Sequence, residues 1–404
     1  MKTIDNELCL IKRIGKGNFG EVYLSQIVGK QGYFATKKME RSVCEKPPLF
    51  ERLINEINIL KMVNHPNIVR FENLKRTQNN WYLVTEFVNG DSLTNNLKKY
   101  MQTYNRPFPE DIVQYLMKQI VDALQYLHFN KILHRDLKLD NILVSYPSDY
   151  DKQTLNLKNC QIKIIDFGFA KILSKQFTNT VLGTPPNMDP QILGQLSAGV
   201  KTGGYNEKVD IWSLGTLCYE MVVGYSPFKG ANMYDLYQKV KKGNYVLPST
   251  LSEEIVYFIN GMLQQDPNQR YDANQLKTHK FLINPVNTFH RVDVKSLKAS
   301  IIPGGMLNMK SNQPQVTTNN NINDFDLWGI FTQPEYYYGS PQNQLPVQIQ
   351  QKPQVQPHMQ MPNFQQTQQQ PKIQIQNYQQ QYQTQQNQQN YYYNQPQNNY
   401  GAYY

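Results

Sequence analysis

The sequence predicts an α+β chain, with strands gathered at its front and helices behind, followed by a disordered tail. Three observations carry that prediction. Short apolar and β-branched runs dominate the front of the chain, as in Leu8–Ile14, Glu21–Leu24, Phe34–Lys37 and Trp81–Val88. From Asp111 to Asn130 the residues Ile112, Leu116, Ile120, Ala123, Leu124 and Leu127 recur at helical spacing. Beyond Pro303, Gln, Asn, Pro and Tyr take over, a composition that cannot bury a core.

The 404 residues divide accordingly into a folded domain over 8–282, a linker over 283–302 and a tail over 303–404. A domain of that length buries roughly 75% of the surface its unfolded chain exposes. The net charge of +10 belongs to the front, because Lys310, Lys352 and Lys372 offset Asp324, Asp326 and Glu335 in the tail. Its lysines are scattered, as in Lys98-Lys99 and Lys241-Lys242, which reads as solvated helix faces and predicts no nucleic-acid partner. Cys9, Cys44, Cys160 and Cys218 show neither disulfide nor zinc spacing. Met1–Glu7 has no apolar signal region, and no uncharged run is long enough to span a bilayer. The expectation is a soluble, cytoplasmic protein.

In chain order, the first chemistry lies between the first two strands, at Gly15-Lys16-Gly17-Asn18-Phe19-Gly20. Glycines there let the backbone approach phosphate oxygens and aim N–H groups at them. Lys37 ends the next strand, and a buried lysine needs a carboxylate to stay charged. Glu56 is the candidate, on a helix over Phe50–Met62 whose Leu53, Ile54, Ile57 and Leu60 form one stripe. After the long helix comes His134-Arg135-Asp136-Leu137-Lys138-Leu139-Asp140-Asn141. Within one turn Asp136 can accept a hydroxyl proton, Lys138 can neutralise a phosphate and Asn141 can ligate magnesium, which is equipment for phosphoryl transfer. Two apolar stretches, Ile142–Val144 and Ile162–Ile165, then lead to Asp166-Phe167-Gly168.

Taken together these motifs resemble the eukaryotic protein kinases, and the Leu-Lys-x-x-Asn form resembles the Ser/Thr branch. The resemblance covers about Leu8 to Leu282. It implies a bilobal fold with a β-rich small lobe and a mostly helical large lobe, and Mg²⁺-ATP bound between them. By it, Ile14, Gly15, Lys16, Gly17, Asn18, Phe19, Gly20, Val22 and Ala35 enclose the nucleotide. The backbone of Glu86 and Val88 meets the adenine beside Thr85. Lys37, paired with Glu56, and Lys138 contact phosphates. Asp136 is the base for the substrate hydroxyl, while Asp166 and Asn141 hold the metal ions. Thr184 bonds Asp136 and Lys138, His134 packs under Phe167, and Asp210 anchors the catalytic loop. Thr180, with Thr178 as the alternative, is the activating phosphorylation site. Its phosphate would pair Arg135, whose guanidinium otherwise lacks a partner. Phe169 implies serine over threonine as acceptor, and Asp140 could attract a basic residue beside it. Activation would come from an upstream kinase or from autophosphorylation in trans.

Two features depart from the family pattern. Its Tyr-x-Ala-Pro-Glu is here Asn187-Met188-Asp189-Pro190-Gln191. The lost glutamate normally pairs with an arginine, here Arg270, so a poorly compensated cation and an altered docking site are expected. The connection from Ser145 to Gln161 is long, and with the following Asp-Phe-Gly-Phe-Ala it resembles the ULK/ATG autophagy-initiating kinases. Asn187 and Gln191 also leave open a pseudokinase scaffold acting through its tail. In that tail, Gln/Asn tracts with repeated Tyr suggest self-association, and Asp324–Phe331 is an acidic-aromatic island suited to docking.

Overall fold

The computed structural model describes residues 2–17, 20–47, 49–173, 183–198, 204–288 and 305–307. The front of the chain forms a six-stranded antiparallel sheet in the order β1-β2-β3-β4-β6-β5. Its strands are β1 (Lys2–Ile4), β2 (Leu8–Gly17), β3 (Gly20–Ile27), β4 (Phe34–Glu40), β5 (Phe71–Arg76) and β6 (Asn80–Glu86). The strand runs read from the sequence fall inside β2, β3 and β4, and the fourth fills β6 up to Glu86, with Phe87 and Val88 beyond its end. β1 and β5 escape the pattern, since β1 has three residues and β5 reads Phe-Glu-Asn-Leu-Lys-Arg. The folded part therefore begins at Lys2, upstream of the expected Leu8, because β1 pairs along β2 and covers its edge. Ile4 on β1 joins Leu8, Leu10, Phe34, Tyr82 and Val84 in one apolar cluster. Register shifts in β2 between Leu10 and Lys12 and between Arg13 and Gly15 mark bulges, which increase its twist just before the glycine turn.

Between β4 and β5 lie α1 (Arg41–Cys44) and α2 (Leu49–Met62). Helix α2 buries Leu53, Ile57, Ile59 and Leu60 as a stripe and includes one carboxylate, Glu56, on that face. The loop after α2 is stitched to the large lobe. Asn67 Nδ2 donates to Ile162 O and to Gln119 Oε1, each at 3.0 Å, and Val69 N–H donates to Ile164 O at 3.0 Å. Ile164 N–H returns to Asn67 O at 2.8 Å.

The large lobe opens with β7 (Gly90–Ser92), α3 (Leu93–Tyr104), α4 (Glu110–Phe129), β8 (Ile132–Leu133) and β9 (Ile142–Ser145). It continues through α5 (Asp149–Gln153), β10 (Gln161–Ile164), β11 (Lys171–Ile172), α6 (Pro190–Ala198) and α7 (Lys208–Val223). Then come α8 (Met233–Lys242), β12 (Tyr245–Leu247), α9 (Glu253–Met262), α10 (Ala273–Lys277) and α11 (Lys280–Ile283). The stripe expected on α4 is its buried face. Helix α7 is buried almost all round, as its near-continuous apolar sequence requires of a helix at the centre of a lobe. The last two helices are separated at Thr278-His279, and His279 caps α11 by accepting Phe281 N–H.

The Ser145–Gln161 connection is folded. Ser148 caps α5, the Asp151 carboxylate receives Asn156 and Asn159, and Tyr115 from α4 donates to Cys160 O at 3.0 Å. A further strand, β13 (Gly305–Leu307), runs parallel to β12. Gly305–Leu307 is the one stretch of the tail among the described residues, and its backbone lies along the edge of β12. Among the described residues no helix is long and apolar enough to cross a membrane. The four cysteines are buried and form no disulfide.

Candidate active site

The β4 register sets Lys37 opposite Val22 on β3 and Leu83 on β6. The buried face of α2 brings Glu56 to meet it, with Lys37 Nζ 3.0 and 3.1 Å from the two carboxylate oxygens. Burial works against the charge on Lys37, but Glu56 and Asp166 outweigh it and raise its pKa. For Glu56, burial dominates and pushes its carboxyl up, with Lys37 opposing and Asp166 reinforcing. Asp166 also resists burial and is held below the usual carboxylate range by Lys37 and by the Gly168 N–H, which donates to Oδ1 at 3.1 Å. Its φ of +62° is left-handed, a conformation that Asp tolerates better than most residues.

Below this pair the catalytic loop hangs from α7. Fully buried Asp210 accepts His134 N–H at 2.9 Å and Arg135 N–H at 2.8 Å, and it also meets His128 Nε2 at 2.9 Å. Those bonds hold Arg135 at φ +65°, which is unusual for a long side chain. Asp136 follows, 3% exposed, with both oxygens engaged. Thr184 Oγ1 donates to Oδ1 at 2.6 Å, Asn141 Nδ2 donates to Oδ2 at 2.9 Å, and Lys138 Nζ stands 3.0 Å from Oδ2. Lys138 also donates to Thr184 Oγ1 at 2.8 Å. Gly183 makes this approach possible: at φ +131°, an added Cβ would lie 2.7 Å from Arg135 O. The His134 and Phe167 rings meet edge to face at 5.0 Å.

The groups that would receive nucleotide and metal fit the task. A Cβ on Gly20 would strike Lys38 O at 2.0 Å, so the start of β3 packs against the β4 backbone as only glycine allows. At Gly15 the protein leaves room for a side chain and the sequence supplies none, which keeps backbone open toward the cleft. Val88 C=O accepts Gly90 N–H, and, separately, Val88 N–H makes no hydrogen bond among the described residues. The Glu86 side chain is not available, being tied to Lys163 at 2.7 Å and to Arg70 N–H. Asn141 Oδ1 and the Asp166 carboxylate are hard oxygen donors. Two such side chains suit Mg²⁺, which completes its shell with phosphate oxygens and water. Asn18, Phe19, Thr178 and Thr180 lie outside the described residues.

Several contacts were not legible in the sequence. Arg135 does not lack acceptors: Nε donates to Phe169 O at 2.6 Å, Nη1 to Tyr205 Oη at 3.2 Å and Nη2 to Ala170 O at 3.5 Å. All three are neutral, so its charge remains. Lys171 stands close enough that, after burial, the Arg135 charge lowers its pKa, and the Arg52 guanidinium lies 5.4 Å over the Phe169 ring. Asn55, next to Glu56, donates to Ala170 O at 2.5 Å. The expectation of an uncompensated Arg270 is corrected: Arg270 pairs with Asp189, both side chains fully buried. Asp189 supplies the carboxylate that Gln191 lacks, an exchange visible only once both side chains are placed.

A buried lysine facing two carboxylates, set above an aspartate braced by a threonine, a lysine and an asparagine, is an arrangement of the kind that phosphoryl transfer to a hydroxyl needs. Fold and cleft together define the bilobal protein kinases. The family model described as protein kinase domain matches residues 9–282, and the chain belongs to that family. It is 32% identical over 279 residues to the probable serine/threonine-protein kinase fhkC of Dictyostelium discoideum, covering 67% of this chain and 43% of that protein. It is 33% identical over 302 residues to the serine/threonine-protein kinase SCH9 of Saccharomyces cerevisiae, covering 73% of this chain and 33% of that protein. The chain thus aligns with less than half the length of each relative.

Proposed function

We infer that the chain is an active Ser/Thr protein kinase that transfers the γ-phosphate of ATP to protein hydroxyls, serine in preference to threonine. The observation that carries this reading is the Lys37–Glu56 contact, formed beside Asp166 and above a braced Asp136. Bound Mg²⁺-ATP supplies the phosphoryl group and the charge neutralisation that its transfer needs. Lys37 orients phosphate oxygens, and Asn141 Oδ1 with Asp166 holds metal. Asp136 Oδ1 orients the acceptor hydroxyl and takes its proton, while Lys138 balances charge on the transferred group. The backbone of the glycine turn and of Val88 grips the rest of the nucleotide.

On the substrate side, Glu220 near the end of α7 is pushed up to about 7, first by burial and then by the charge of Asp140, against Lys98 and Lys229. Two carboxylates that repel one another beside the catalytic loop favour a substrate with a basic residue near its acceptor. Arg135, Lys171 and Arg52 gather cationic charge around Phe169 and Ala170, which supports activation by phosphate on Thr180. The long β9–β10 connection supports a place beside the ULK/ATG group. The scaffold alternative drew on Asn187 and Gln191, and the pairing of Arg270 with Asp189 weighs against its Gln191 part.

The test is radiolabelled phosphate transfer from ATP to a serine peptide library by the full chain, beside Asp166→Ala. Transfer that falls by at least about 10³-fold in the variant is the expected result. Equal signal in both proteins, or none from wild type after phosphorylation at Thr180, sinks the reading.

A further inference from the structure

The segment after Gly183 is tied down at three points, and at the second and third the chain departs from its family. Thr184 reaches the catalytic loop through Asp136 and Lys138. Asn187, in place of the family tyrosine, donates its amide to Thr216 Oγ1 at 2.8 Å and accepts Ser213 Oγ on its carbonyl at 2.8 Å. Asp189 then meets Arg270 Nη1 through Oδ2 and accepts Gln191 N–H on Oδ1 at 2.7 Å. Arg270 is rooted in the large lobe. Its Nε and Nη2 donate to Gln264 O at 3.0 and 2.9 Å, Nη1 donates to Lys208 O at 2.7 Å, and the guanidinium lies 5.1 Å over the Trp212 ring. Without a carboxylate this buried cation would be uncompensated, and among the described residues the Gln191 side chain makes no hydrogen bond to it.

We propose that Asp189 is a positioning residue that clamps the substrate-docking segment to the large lobe, carrying from two positions upstream the carboxylate that the family places at 191. The exchange conserves charge, with one carboxylate lost at 191 and one present at 189. Because the Asp189 carbonyl accepts Leu193 N–H at 2.9 Å, the same residue also starts α6. The clamp fixes one end of the turn over Pro185–Asn187, and Thr184 fixes the other against Asp136. It thereby sets where the residue following the phosphoacceptor lies. The proposal rests on the catalytic reading above.

The test compares four full-length forms: wild type, D189N, Q191E and D189N/Q191E. D189N is expected to raise KM for peptide at least about tenfold, leave KM for ATP within about twofold and lower the melting temperature. Adding Q191E restores peptide KM to within about threefold of wild type and recovers the melting temperature, as a coupled pair requires. Q191E alone gives no gain, since Arg270 already has its carboxylate. The proposal is overturned if D189N raises both KM values equally, or if it lowers stability while peptide KM stays at the wild-type value. Should D189N fail to fold, the double variant decides: folded with wild-type peptide KM it supports the clamp, folded with raised peptide KM it refutes it. If wild type transfers no phosphate, the catalytic reading falls, and recovery of the melting temperature by Q191E still decides whether the carboxylate has moved.

Discussion

At the scale of single residues, Glu220 is expected to link substrate choice to pH. Its carboxyl titrates near 7, because burial and Asp140 disfavour its charge. A basic side chain on the substrate favours the ionised form, so binding releases a proton when it begins from neutral Glu220. KM for a peptide with a basic residue near the acceptor is therefore expected to be lowest above pH 7. It should rise below that pH, by at most about tenfold per pH unit for a single proton. Peptide kinetics between pH 6 and 8 check this, with a peptide lacking the basic residue as control; parallel profiles for the two peptides would refute it. Residues of this kind mark the limit of what the sequence made legible. Lys37, Glu56, Asp136 and Asn141 could be read because they stand in motifs with fixed spacing. Glu220, Lys171, Asn55 and Asp189 could not, since each acts on a partner distant in sequence and no local pattern names that partner.

At the scale of elements, strands with apolar alternation and helices with a buried stripe were legible, and short elements were not. β1 shows why: three residues carry no period, and the strand exists through pairing with β2 and through Ile4 in a cluster with Leu8, Phe34 and Tyr82. Ile4 is 6% exposed, so Ile4→Ala should destabilise the domain by about 2 kcal/mol, at the low end for a buried isoleucine because β1 lies at an edge. Calorimetric unfolding of the two proteins measures it, and a loss below about 0.5 kcal/mol would show that β1 adds little. Similarly α5 lies in a stretch that reads as polar loop. Its helix is set by the Ser148 cap and by a carboxylate, Asp151, that gathers its neighbours' amides, a local arrangement that hydrophobic periodicity does not report.

At the scale of the whole molecule, every side chain assigned here to phosphate, metal or proton lies before residue 283, and β13 is the last described contact of the chain with the large lobe. A chain ending at Leu307 is expected to phosphorylate a peptide with KM and kcat within about twofold of the full chain. Loss of most activity on that truncation would instead place the Gln/Asn-rich tail in the catalytic machinery. The paired hydrogen bonds between Asn67–Val69 and Ile164 bear on how the two lobes move. They rivet the trailing end of α2 to β10 through backbone, while its leading half meets the large lobe through side chains, Asn55 on Ala170 O and Arg52 over the Phe169 ring. α2 is therefore a lever with its fulcrum beside Asn67. A swing of a given angle moves Leu49 farthest, Glu56 by roughly half as much, and His65 hardly at all. A ligand or partner that grips the Leu49 end holds the long arm, and can part Glu56 from Lys37 without reaching into the cleft.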